Sequence, residues 1–431
     1  MKKYVCKLIA ALQLIFIINI TAYASSAFMA ARGDKVLTGR NGDSKNLNII
    51  MHVLPPSDGK YGRIYLGAED KGGFYYTTGM NEHGLWYGST GLYDGAALPE
   101  RHDITNYYNK PTWPYELTVK VMEECATVDE AIEIYSTYFT PYWNGHTMIV
   151  DKHGNSVIAE FGEKDVVFIR RKNNYQVMTN FPNSDTLNAR WYNCYRYNTA
   201  ETMLASSGEI STAFFKSICD AVHQEGSSPT SLSTVYDVIN GNLYVYYFHN
   251  YEEFLKFNVN EELQKGKRYY KLPEYFNQIK LTYPIKGEHV NSSSVTFIWN
   301  GNAENYHLYY SNDPNFTDVE PIKISSSHSP GENSMTLSAC WFGALLFGVI
   351  WIRKKKVLAF IIGLTIVTLF LSCGIDIVEP PVESPFVLST LEHRQTIENL
   401  QPNTLYYWKI VAIGAEGINS ESILQTFKTK D

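Results

Sequence analysis

An α+β architecture is what this 431-residue sequence predicts. Three features predict it. Aromatic and β-branched strand segments stand at both ends of residues 25 to 275, helical patterns lie between them, and from about residue 279 strands alternate with turn residues. With 45% hydrophobic and 14% aromatic residues the chain can bury a sizeable core and is not disordered.

In chain order, residues 1–24 read as a secretory leader. Lys2 and Lys3 precede an apolar stretch from Leu8 to Ile18, and Ala22-Tyr23-Ala24 is the small-x-small pattern that signal peptidase cuts. Strand signals follow in FMAARGDKVLTGRN, with Arg40 to Asp43 expected as a turn because Asn-Gly is a strong turn dipeptide. HTMIVDKHGNSVIAEF reads as two strands joined at Lys152 to Asn155, and VVFIRRKNNYQVMTNF and LYVYYF as further strands. Helix signals are PYELTVKVMEECA and VDEAIEIYSTYF, the latter opened by Thr127 with Glu130 three residues on, a capping box. Further helices are expected at 188–205 and 211–224.

From 279 to 431 the pattern is that of a β-sandwich. Leu400, Pro402, Thr404, Tyr406 and Val411 resemble the fibronectin type III signature, in which a corner tyrosine bonds back to the preceding loop. Two apolar runs, 335–352 and 357–371, interrupt it around RKKK. Each is near or below the roughly 18 to 20 apolar residues that cross a bilayer, so the pair is expected as a transmembrane hairpin, 335–372, with its basic tip in the cytoplasm. The stretch ending at Cys373 also resembles a lipoprotein leader. Both readings anchor the chain to a membrane with its folded domains on the exported side.

Lys and Arg total 37 against 44 acidic residues, a net charge of −7, which argues against a nucleic-acid partner. Cys125, Cys194 and Cys219 are odd in number and at no ligand spacing, so neither a disulfide framework nor a zinc site is expected. His146 and His153 are not at a zinc spacing either, and no metal or cofactor is expected.

The chemistry begins where the leader ends. A cut after Ala24 leaves Ser25 first, carrying a free α-amine beside its own hydroxyl. Such an amine titrates near about 7.7 to 8.0, so it can act as base for its own side chain. SSAFMAARGDKVLTGRNGD, with TGMNEHGLWYG at 78–88, DKHGNSVIAEF at 151–161 and VMTNFP at 177–182, resembles the linear amide C–N hydrolases. These include choloylglycine hydrolases and penicillin-nucleus acyltransferases. The resemblance covers about 25–276 and implies a four-layer αββα N-terminal nucleophile fold acting on a small acyl amide substrate.

Carried across residue by residue, it puts Ser25 at the nucleophile, Arg40 and Asp43 as the pair orienting it, and Asn180 in the oxyanion hole. It also offers Arg196 as a second arginine. The family branch uses cysteine where this chain has Ser25, and a second oxyanion asparagine falls at Gly91. The rival readings are an acyltransferase on the same site, or a silent surface protein whose old fold binds a ligand. No Gly-x-Ser-x-Gly elbow supports a conventional triad. The sandwich is expected to space the enzyme from the membrane or to contact a surface polymer or protein.

Overall fold

Strand β1 (Ser25–Arg32) turns at Gly33, whose φ of 60° suits glycine, into β2 (Lys35–Asp43). The computed structural model describes residues 25–71, 73–92, 110–113, 115–140, 145–161, 165–184, 194–326 and 390–431, with 382, 384 and 385. The leader and the 335–372 hairpin lie outside the described residues. Among the described residues no helix is long and apolar enough to cross a membrane.

The next strands are β3 (Ile49–Leu54), β4 (Arg63–Asp70), β5 (Gly73–Asn81) and β6 (Trp86–Gly91). Helices α1 (Leu117–Glu124) and α2 (Val128–Thr137) follow, then β7 (Gly145–Val150), β8 (Ser156–Phe161), β9 (Val166–Arg170) and β10 (Tyr175–Met178). After α3 (Tyr195–Ser206) and α4 (Thr212–Ala221) come β11 (Thr230–Asp237), β12 (Asn242–Tyr247), β13 (Glu253–Asn258), α5 (Val259–Gln264) and β14 (Arg268–Lys271).

Two antiparallel sheets result. One runs β10-β1-β2-β11-β12-β13, the other β14-β3-β4-β5-β6-β7-β8-β9. Period-two alternation sends Ala27 and Met29 of β1 into the core between the sheets, with Met51, Ile64, Met80, Trp86, Met148 and Tyr236. Phe28 and Ala30, on the opposite face, pack on Leu204, Phe215 and Ile218 of α3 and α4. On the outer face of the second sheet, Tyr65, Tyr87, Ile149 and Val157 meet Val121 and Met122 of α1 and Ala131 of α2. The order of layers is therefore helices, sheet, sheet, helices.

The capping box forms as the sequence predicts: the Glu130 amide donates to the Thr127 hydroxyl, and Glu130 Oε2 accepts from the Thr127 amide at 2.9 Å. The apolar side of α2 is then fixed by Val128, Ala131 and Tyr135, spaced three and four apart. Helix α3 starts at Tyr195, later than residue 188; residues 185–193 lie outside the described residues.

One expectation is corrected. Arg40 to Asp43 are not a turn but the end of β2, paired on one side with β1 (Ser25↔Gly42, Ala27↔Arg40) and on the other with β11 (Thr234↔Arg40). The glycine serves packing instead: a Cβ on Gly42 would stand 2.6 Å from the Arg40 guanidinium. Local turn propensity yields here to pairing with two neighbouring strands.

The sandwich consists of β15 (Lys280–Tyr283), β16 (Glu288–Val290), β17 (Ser294–Gly301), β18 (Asn305–Ser311), β19 (Ile322–Ser325), β20 (Leu391–Glu398), β21 (Leu405–Ala412), β22 (Ser420–Ser422) and β23 (Gln425–Thr429). Its core holds Phe297, Trp299, Tyr306, Trp408, Ile410 and Phe427. The hydroxyl of Tyr406 accepts from the Gln401 amide at 3.0 Å, the corner bond the sequence suggests. Strand β20 pairs with β17 along its length, so the segments before and after the apolar runs close one sandwich. That sandwich does not hang on a free linker. Strand β22 pairs with β13 (Glu253↔Ser422, Leu255↔Ser420), extending the first sheet into the C-terminal region. The buried Glu253 carboxylate fastens the junction by accepting from the Asn277 amide at 2.7 Å and the Ile279 amide at 3.3 Å.

Candidate active site

Ser25 is the first residue of β1 and almost fully buried, at the edge where β1, β2 and β11 end together. Because β1 and β2 are in register, Arg40 and Gly42 lie beside it, and the end of β2 brings Asp43 into the same cluster. Asn180 comes from the segment just after β10, the strand that flanks β1 on its other side. Arg196 reaches in from the first turn of α3. All five residues singled out in the sequence converge.

The Ser25 backbone nitrogen donates to Asn180 Oδ1 at 2.9 Å. Arg196 Nη2 donates to the same oxygen at 2.8 Å, and Arg196 Nη1 to the Ser25 carbonyl at 2.5 Å. Arg40 Nη2 lies 3.4 Å from Ser25 Oγ and also donates to the Ser89 carbonyl at 3.0 Å, with Arg40 Nε on the same carbonyl at 3.1 Å. A guanidinium beside the hydroxyl favours the alkoxide that a nucleophile must become. Burial pulls the Arg40 pKa down and the Asp43 carboxylate counters this.

Asp43 is the second buried charge. Its oxygens accept from Thr230 Oγ1 at 2.5 Å and Gln224 Nε2 at 2.6 Å, and Arg196 Nη1 lies 3.7 Å from Oδ2. Burial pushes its pKa up, while Arg196, Thr230 and Gln224 oppose that. Its nearest cation is thus Arg196, not its sequence neighbour Arg40. The Asn180 side-chain N–H donates to the Gly91 carbonyl at 2.7 Å, so in this state the amide orients the Ser25 nitrogen and ties β6 to the site.

The sequence analysis did not find the support beneath Asn180. His146, fully buried on β7, presents Nδ1 to Glu160 Oε1 at 2.8 Å and Nε2 to the Thr179 carbonyl at 2.6 Å. Bonded at both nitrogens, the ring is held in one orientation between the two segments. Glu160 in turn accepts from the amides of Asn183 at 2.6 Å and Ser184 at 2.9 Å, and its pKa is lowered: burial raises it, but the His146 bond and charge and these amides together outweigh that. This pair pins residues 179–184, and with them Asn180. Residues so far apart in sequence carry no shared spacing signal.

A cleft open to solvent leads to Ser25 and Arg40. Apolar and aromatic groups line much of it, among them Ile49, Tyr75, Tyr76, Leu117, Tyr135 and Leu232. Two acidic residues, Asp43 and Glu116, also line it, and burial pushes the Glu116 pKa up to about 7. Because an unfolded glutamate titrates near 4.5, the folded chain holds this proton more tightly. Stability should therefore fall as pH rises through about 4.5 to 7 and level off above. Glu116→Gln is expected to flatten that slope by up to roughly 2–3 kcal/mol, measured as the difference in urea-unfolding free energy between pH 5 and pH 8. An unchanged slope would assign the titration elsewhere.

Residues 45–218 match the family model of the linear amide C–N hydrolases, choloylglycine hydrolase family. That span includes Asn180 and Arg196 and stops short of Ser25, Arg40 and Asp43. No curated protein matches the chain. Among solved structures, a conjugated bile acid hydrolase from Clostridium perfringens is similar at 16% identity and TM-score 0.47, covering 57% of this chain and 95% of its own. Penicillin V acylase from Agrobacterium tumefaciens is similar at 20% identity and TM-score 0.43, covering 52% of this chain and 82% of its own.

Proposed function

We propose, for a chain whose residues 45–218 match the family model of the linear amide C–N hydrolases, choloylglycine hydrolase family, that Ser25 is an N-terminal nucleophile cleaving small acyl amides. The leader is removed after Ala24, which frees the Ser25 α-amine. Ser25 Oγ attacks the amide carbonyl while the α-amine takes its proton. The C–N bond then breaks, the proton passes to the leaving amine, and an acyl ester remains on Ser25. Water attacks that ester with the same amine as base, releasing the acid and restoring the hydroxyl.

The observation that carries this reading is the contact of the Ser25 nitrogen with Asn180 Oδ1 at 2.9 Å, in a cavity where Arg40 stands beside the hydroxyl. An acceptor on that nitrogen orients an amine and directs its lone pair elsewhere. Positive charge from Arg40 lies next to the oxygen that becomes nucleophilic. Asn180 Nδ2 carries two N–H groups, one of which holds the Gly91 carbonyl, and an oxyanion donor is supplied when one of the two turns to the substrate. The apolar lining suits the acyl part, as in N-acyl amino acids, and water suits the acceptor role because the cavity is open to solvent.

Export follows in this reading from the leader, and anchoring from the 335–372 hairpin, with the sandwich, similar to fibronectin type III, on the exported side. The test is a pair of purified chains, one beginning at Ser25 and one carrying a single glycine before it, assayed on a panel of N-acyl amino acids. Only the first should release free amine. Equal activity would remove the α-amine from the mechanism.

A further inference from the structure

Beyond the hydrolytic site, two surface segments bring metal-ligand side chains together. His223 and Glu225 follow α4, and His249 sits in the turn between β12 and β13. One donor atom from each lies within 4.8 Å of the other two. His223 Nδ1 is bonded to the Asp220 carbonyl, so Nε2 is the ring nitrogen that faces the other two side chains and would meet a metal. That Nε2 lies 3.4 Å from Glu225 Oε1. Donors around a tetrahedral zinc at about 2.1 Å stand roughly 3.4 Å apart, so this pair already has the needed spacing.

The backbone under His249 gives a second, independent observation. Tyr247 to Asn250 form a tight turn closed by the Asn250 amide on the Tyr247 carbonyl at 3.1 Å. Its central residues, Phe248 and His249, have φ of 47° and 44°, a left-handed pair normally filled by Asn-Gly. Phe248 is explained by its place in the core between the sheets. Nothing in that core calls for an imidazole at the next position. Its ring is stacked on His223, with centroids 5.2 Å apart and planes at 14°. Strain retained at a residue aimed at other ligands marks a site more often than an accident.

We propose that His223, Glu225 and His249 form a binding site for a divalent transition metal of the zinc class, and that the ion clamps the loop supporting Asp43. Two imidazoles and a carboxylate suit zinc and its neighbours, whereas calcium and magnesium prefer all-oxygen shells. A water completes the fourth position. Between the two ligands of the loop stands Gln224, whose side chain holds Asp43 Oδ2 and whose amide donates to Thr230 Oγ1 at 2.9 Å. The same Thr230 hydroxyl holds Asp43 Oδ1. Fixing residues 223 and 225 therefore fixes both neutral partners of the buried carboxylate.

The test uses the full mature chain, stripped with chelator and titrated with Zn²⁺ alone by calorimetry, with Co²⁺ absorption as a ligand-field readout. One equivalent should bind, and it should raise the melting temperature. His249→Asn, which keeps a residue tolerant of the left-handed turn, and His223→Gln should each weaken binding at least tenfold and abolish the zinc-dependent rise. Circular dichroism without metal checks that both variants are folded. No saturable zinc binding in the wild type, or binding of equal strength in a folded His249→Asn chain, would overturn the proposal.

Discussion

Ser25→Ala is expected to lower turnover of N-acyl amino acids by about 10⁴-fold or more, because a nucleophile acting as a unit with its base leaves little residual catalysis when removed. Its effect on stability should be small, since the change deletes one hydroxyl whose described partner is the Arg40 guanidinium at 3.4 Å. Ser25→Cys is the informative counterpart. The family branch that this chain resembles carries cysteine at the corresponding position, and a thiol is the stronger nucleophile near neutral pH. With the α-amine, Arg40 and Asn180 in place, the cysteine variant should match or exceed the serine enzyme. Steady-state kinetics of the three chains, with melting temperatures alongside, separate a working site from a silent one. A cysteine variant as dead as alanine would indicate a site no longer shaped for either nucleophile.

Replacing Arg196 by methionine should have the largest structural effect. The guanidinium bonds the Ser25 carbonyl and Asn180 Oδ1 and lies 3.7 Å from Asp43. Methionine fills much of the same space but leaves a buried carboxylate without its nearest cation. Removing one partner of a buried pair costs about 3–5 kcal/mol. The melting temperature should drop by roughly 4–6 °C. The sign of the pH dependence is specific. Asp43 has its pKa raised by burial, and losing Arg196 raises it further, so the folded variant gains a proton that the unfolded chain releases at lower pH. The deficit relative to wild type should shrink as pH falls toward 5 and grow toward 8. Asp43→Asn combined with Arg196→Met should recover part of the loss, because the uncompensated charge is then gone.

Much of this was legible from local signals. The Thr127 to Glu130 spacing marks a helix start because capping depends on residues three apart. The strand signal in FMAARGDKVLTGRN is local too, and it matches β1 and β2. What local pattern misreads is RNGD, since Asn-Gly favours a turn only where no neighbouring strands compete for its backbone. Here β1 and β11 occupy both sides, and the glycine makes room for Arg40.

Other features depend on long-range assembly. Arg196 as the cation nearest Asp43, His146 and Glu160 beneath Asn180, and the convergence of His223 with His249 all join separate segments. No spacing along the chain encodes them. The same holds for the joining of the sandwich to the first sheet through β22, where a composition change near 279 suggests a clean boundary.

The most direct measurement is peptide mass spectrometry of the mature protein quenched during turnover of an N-acyl amino acid. The account predicts an N-terminal peptide beginning at Ser25 and carrying the acyl mass on the Ser25 hydroxyl, absent from Ser25→Ala. A mature chain that begins elsewhere yet turns over substrate, or an acyl group trapped on another residue, would contradict it.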